Sequence, residues 1–237
     1  MTDPFNPASV ARERAGVTFD AGLRAHMMRV FNYMGGGLAV TGIVAFVVAS
    51  SPALADLIFG TPLKWIAILS PLAFVIYLNA RLQAMSVAKA QTLFWLFCGV
   101  MGLSMAAIFM VFATESIARA FFITAASFGA MSLLGYITRV DLTGMGAFLL
   151  MGLMGLLIAS VVNMFMMSSG LQWVVSVMGV IIFTGLTAYD VQRIKQTYAA
   201  GWGTEANNKM AVISALGLYL NFINAFQFIL SLTGDRR

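Results

Sequence analysis

Charge is the scarcest property of this chain. Of its 237 residues, 10% are Asp, Glu, Lys or Arg, while 60% are hydrophobic. A water-soluble domain carries about 25% charged residues, so a soluble fold is excluded and an integral membrane protein is indicated. Cysteine and histidine are nearly absent: Cys98 and His26 are the single examples of each. No disulfide framework, thiol metal cluster or histidine-based metal site can be built from them. A Walker loop, a nucleophile elbow, HExxH and CxxC are all missing, so neither an enzyme nor a resident cofactor is expected.

What charge there is leans positive. The net charge is +5 and the pI about 9.7. Arg24, Arg29, Arg81, Arg139, Arg193 and Lys195 fall in the N-terminal stretch or in every second loop. That is the positive-inside pattern of a membrane protein, not a nucleic-acid patch. The first thirty residues are polar and mixed in charge. They do not read as a cleavable signal, and the first membrane helix is expected to stay attached.

A span needs about 20 mostly apolar residues. Charge-free runs predict seven. The first four cover about 30–50, 65–80, 90–114 and 120–137. The stretch 142–189 is about twice a span, and Ser168, Ser169, Gly170 and Gln172 divide it into the fifth and sixth. The seventh covers about 210–233. The expected organisation is a cytoplasmic arm over 1–29 and an all-α, seven-helix transmembrane domain over 30–237. Short connections make neighbouring spans antiparallel. With the N-terminus cytoplasmic, the loops near Arg81, Arg139 and Arg193 are inside and those near Asp56, Glu115 and Ser168 outside. The C-terminal GDRR then falls outside, against the pull of Arg236 and Arg237.

Two polar residues interrupt the last apolar runs. Asp190 closes the sixth, in GLTAYDVQRIK, and Asn221 sits inside the seventh, in LGLYLNFINAF. Ionisable and amide groups at such positions are costly unless they serve something. An acid at a helix C-terminus is also opposed by the helix dipole. One reading is a helix-end ion pair of Asp190 with Arg193. The other is a site. Ser214, Gly217, Asn221 and Asn224 are spaced three, four and three apart and so share a helix face, as do Thr184, Thr187 and Asp190. That stripe reads either as interhelical packing glue or as the lining of a cavity or ion path. Asn163 reads as a packing amide.

GLTAYDVQRIK followed by LYLNFINAF, with a second block from Phe121 to Phe165, resembles the Bax inhibitor-1 family, its bacterial members above all. The resemblance covers nearly the whole chain after the N-terminal arm. It implies six helices around a central seventh and a pH-sensitive calcium leak across a bacterial plasma membrane. It also implies a sensor made of two aspartates on the last two helices. The first matches Asp190; the second falls on Asn221. An arginine at the end of the second helix is expected to latch the sensor, and Arg81 is the match by position. Asp190 thereby becomes a candidate calcium ligand and gate, with Asn224, Thr187 and Ser214 as cavity-lining residues.

Two close carboxylates share a proton and titrate as a pair, whereas Asn221 cannot titrate. Calcium wants several oxygens and carboxylate charge. Weaker calcium binding and a blunted or acid-shifted pH response of the flux are therefore expected. The partners anticipated are the lipid bilayer and calcium ions or protons. The alternative is a non-transporting modulator of a membrane-embedded protease or another membrane protein, with small-residue faces such as Gly99, Gly102 and Ala106 serving helix contacts.

Overall fold

The computed structural model describes residues 7–81, 85–198 and 203–236, with side chains from residue 21 onward except at 78–80 and 204. Among the described residues the chain forms eight helices and no strand. They are α1 (Pro7–Ser50), α2 (Pro52–Phe59), α3 (Leu63–Arg81), α4 (Val87–Val111), α5 (Thr114–Ile137), α6 (Thr143–Met166), α7 (Ser169–Thr197) and α8 (Gly203–Thr233). Their ends follow from local chemistry. Pro52 opens α2 at a position where its missing N–H is no loss. Ser86 and Ser168 cap α4 and α7, their hydroxyls accepting from the Lys89 and Leu171 amides. Asn163 spans the turn between α6 and α7, accepting from the Ser168 amide at 3.1 Å and donating to Gln172 at 2.9 Å. It is the packing amide the sequence suggests.

Among the described residues, six helices are long and apolar enough to cross a membrane, beginning with 21–50 of α1. The seventh crossing differs from expectation. It is a pair, α2 and α3, bent by 77° at the break between them. Packing decides what that pair does. Tyr33 of α1 accepts from Gln91 of α4 at 2.5 Å, Thr41 donates to the Cys98 carbonyl at 2.9 Å, and Phe46 meets Phe109 edge-to-face at 6.2 Å. Numbers rise together along both helices, so α1 and α4 run parallel. The chain must therefore recross between them. α3, at 19 residues and about 1.5 Å per residue, is long enough for that return. The fold is an all-α bundle with seven crossings.

α8 is the hub. It packs on α7, α1, α5 and α4, and 61% of its most apolar window is buried, against 17% for α6. Tyr219 anchors it, fully buried, with its hydroxyl 2.7 Å from that of Thr41 and its ring edge-on to Phe94 and Phe97. α6 is peripheral and turns Phe148, Met151 and Phe165 outward. In water such a face would aggregate; here it meets lipid.

One boundary and one surface differ from the sequence reading. α1 runs unbroken from Pro7 through the expected edge of the arm near Val30, and residues 1–6 of that arm lie outside the described residues. Of the small residues of α4, Gly99 has open space beside it, whereas Gly102 and Ala106 are not free for a partner. Gly102 lies against the Thr41 carbonyl and Val44 of α1, and Ala106 is fully buried.

Candidate ion site between the last two helices

Asp190 lies in α7 with its carboxylate turned toward α8. Asn221 lies one layer down in α8, and its Nδ2 donates to Asp190 Oδ2 at 2.7 Å. A carboxylate accepts only, so the amide must present its NH2 group. The two polar residues singled out by sequence are thus brought into contact across 31 positions of chain. Above them, toward the turn joining α7 and α8, a cavity of about 360 Å³ opens. Asp190, Arg193, Thr197, Ser214 and Gly217 supply its polar and small walls, and Ile213, Leu216 and Leu220 its apolar ones. Gly217 has open space where a Cβ would point, which keeps that wall of the cavity clear.

The other expected residues divide. Ser214 lines the cavity. Thr187 and Asn224 do not. Thr187 is fully buried and donates to the Phe183 carbonyl at 2.9 Å; Asn224 donates to the Leu220 carbonyl at 2.8 Å. Each satisfies its donor on its own helix, which a periodicity argument does not reveal. Arg81 is exposed on α3, which packs chiefly on α4 and α2, and among the described residues it makes no bond to Asp190. The cation at the cavity is Arg193, one turn beyond Asp190. No ion pair closes between those two within bonding distance among the described residues. The carboxylate engages Asn221 instead.

Beneath the pair the seam between α7 and α8 is dry. Phe183 and Phe228 stack at 5.9 Å, with Leu186 and Ala225 beside them. Gly179 lets Phe228 settle directly on the α7 backbone; a Cβ there would lie 2.5 Å from its ring. Polarity returns at the far end, where the Ser176 hydroxyl reaches Ser231 at 3.2 Å and Gln172 donates to Ser231 at 3.3 Å. The seam is polar at both ends and closed by aromatic packing in the middle.

Sequence reasoning missed His26. Expected in a polar arm, it is 4% exposed and lies 5.4 Å from the Tyr198 ring. Its Nδ1 has no partner among the described residues. Ser214 and Thr197 separate it from the Asp190 cavity, and both also line the small void beside it. A signal was present. Leu23, His26, Met27 and Val30 fall at spacings of three, one and three, one face of a helix.

A calcium ion resident at Asp190 does not fit these residues. Calcium takes six to eight oxygens. Here one carboxylate is offered, one of its oxygens is taken by an amide NH2, and no cluster of three acidic, histidine or cysteine side chains exists among the described residues.

Comparison with known proteins places this geometry. The family described as "Inhibitor of apoptosis-promoting Bax1" matches residues 23–237. The chain belongs to the Bax inhibitor-1 family. Among relatives, it is 42% identical over 220 residues to the inner membrane protein YbhL of Escherichia coli, covering 92% of this chain and 94% of that one. A protein of Rickettsia prowazekii is also 42% identical over 220 residues, covering 93% of each chain. A membrane protein of Streptococcus pyogenes is 28% identical over 217 residues, covering 91% of this chain and 94% of its own. This Bax inhibitor-1 family member is therefore a multi-pass membrane protein. Its central α8 carries an amide at position 221, where the resemblance implied a carboxylate.

Proposed function

We propose that this protein is a cation leak pathway, with calcium ions or protons as cargo and the Asp190–Asn221 pair as its charged constriction. The observation that carries the reading is the 2.7 Å contact between those two side chains at the floor of a cavity between α7 and α8. A carboxylate at that place attracts cations into the cavity, while Arg193 at the wall limits the field. The stacked Phe183 and Phe228 below form a hydrophobic gate, and conduction requires them to separate. The protein lies in the inner membrane with its N-terminus in the cytoplasm, so the cavity faces the cytoplasm. It performs no catalysis.

The native site holds one negative charge at most. Without like-charge repulsion between two carboxylates it lacks the steep coupled titration of an aspartate pair. The test is calcium flux into proteoliposomes across pH for the native protein, Asp190→Asn and Asn221→Asp. The expected order is a modest native leak, a lower one in Asp190→Asn, and a larger and more steeply pH-dependent one in Asn221→Asp. Equal flux in the native protein and Asp190→Asn at every pH defeats the proposal. Should Asn221→Asp alone conduct, the amide itself favours the second reading, a membrane modulator of an embedded protease or similar partner, which copurification from native membranes would identify.

A further inference from the structure

α1 and α5 both pack on α8 without forming a packed interface with each other. Between them an apolar groove runs along the side of the bundle, with Phe222, Ile223 and Phe226 of the central helix as its floor. It has two stretches that share Leu38, Phe121 and Phe222. The larger, about 660 Å³, extends along α1 from Arg24 to Leu38. Those fifteen residues span about 21 Å of helix, somewhat more than the roughly 15 Å of hydrocarbon in one leaflet. The volume over that length gives a mean cross-section of about 30 Å², whereas a helix about 10–12 Å across would need three times as much. The groove has room for methylenes in file.

Its polar end is built for an anion with oxygen acceptors. Arg24 is exposed at the mouth. Lys195 is held on Tyr136, another residue of that stretch, donating to its carbonyl at 2.9 Å with its ammonium 5.2 Å from the ring. Ser132 lines the same stretch, is 7% exposed, and its hydroxyl has no partner among the described residues. That is an exception in this protein. Thr124, Ser160 and Thr187 all close their hydroxyls on the carbonyl four residues back. A buried hydroxyl left unpaired costs free energy, and an oxygen supplied by an occupant of the groove removes that cost.

We propose that the groove holds one acyl chain of an anionic glycerophospholipid, with its phosphate at Arg24 and Lys195 and an oxygen of its ester region accepting from Ser132. Basic residues at the end of an interhelical cleft are the expected partners of such headgroups. Because the floor is α8, an occupied groove bears directly on the helix that carries Asn221.

Native mass spectrometry of the full chain tests this, with dioleoylphosphatidylglycerol or dioleoylphosphatidylethanolamine added in detergent. The native protein should retain one phosphatidylglycerol in preference to phosphatidylethanolamine. Arg24→Gln should lower phosphatidylglycerol retention about fivefold, the worth of one cation at an anionic surface, and erase the preference. Gly129→Leu should abolish retention of both lipids, since Gly129 lines the groove and a Cβ there points into open space. Ser132→Ala should weaken retention without changing the preference. Native-like retention by Gly129→Leu at an unchanged melting temperature overturns the proposal. So does equal binding of the two lipids by the native protein. In native membranes, an Ala125→Cys variant that crosslinks to a second copy or another protein would also overturn it, because Cys98 is buried and the new thiol reports the groove alone.

Discussion

At the residue scale, the contact between Asp190 and Asn221 is a neutral donor serving a half-buried carboxylate. A hydrogen bond to a charged group contributes about 1.5–3 kcal/mol when buried, less where one partner is partly solvated. Asn221→Ala should therefore lower stability by about 1–2 kcal/mol in denaturant titrations of the detergent-solubilised protein. Asp190→Asn combined with Asn221→Ala should cost less than the sum of the two single changes, and strict additivity would show that the contact contributes nothing. The pair was legible because polarity inside an apolar run is conspicuous. Thr187 and Asn224 were equally conspicuous but spend their donors on their own backbone. His26 was missed in a stretch read as a polar arm because burial there depends on Tyr198, which arrives from the far end of α7.

A second residue outside the spans has its own pH signature. Asp141 caps the start of α6, accepting from the Thr143 amide at 2.9 Å and from its hydroxyl at 2.6 Å. Those bonds hold its carboxyl below the usual 3.8. A group whose folded value is depressed adds stability above its unfolded value and loses it as pH falls through the folded one. The native melting temperature should therefore drop further than that of Asp141→Asn below about pH 3.8. The difference should be small, because the group is fully exposed. Parallel curves for the two proteins would show that the cap is energetically silent.

At the element scale, close helix approach is bought by glycine at particular crossings. Gly135 of α5 lies against the α7 backbone; a Cβ there would sit 2.2 Å from the Ala188 carbonyl oxygen. Backbone cannot swing aside as a side-chain tip can. Gly135→Ala should part α5 from α7 at an overpacking cost of about 1–3 kcal/mol, lowering the melting temperature by several degrees. Gly155→Ala on α6 meets nothing within 4 Å and gains helix propensity, so its melting temperature should hold or rise slightly. Equal responses from the two variants would mean that the α5–α7 crossing relaxes freely. The division of 142–189 into two helices was readable from its polar break at Ser168. The break between α2 and α3 was not. Its sequence, Gly60, Thr61 and Pro62, marked only the start of a short span, and the helix before it is too brief to show a period.

At the scale of the whole molecule, the parallel run of α1 and α4 fixes the parity of the crossings. A chain that crosses through α1 and again in the same sense through α4 must return through α2 and α3. Without that return the two termini of the bundle would share a side. The far end of α8 supplies independent support. The Ala113 amide donates to the Asp235 carbonyl at 3.0 Å, the Asp235 amide donates to the Ser116 hydroxyl at 3.1 Å, and Arg236 pairs with Phe112. The C-terminus is thus tied to the turn between α4 and α5, at the end opposite Arg24 and the turn between α7 and α8. Positive-inside counting likewise expects the two termini at opposite ends, and contacts at the far end of α8 hold the tail there whatever the charge of Arg236 and Arg237. Reporter fusions that are active on only one side of the membrane should therefore give opposite signals at the N-terminus and after Arg237. Like signals would mean that α2 and α3 form a re-entrant hairpin. The 19 residues of α3 would then have to lie in one leaflet and the parallel contacts of α1 with α4 would have to break, while the cavity at Asp190, at the end of α8 away from the tail, would still open on the side opposite it.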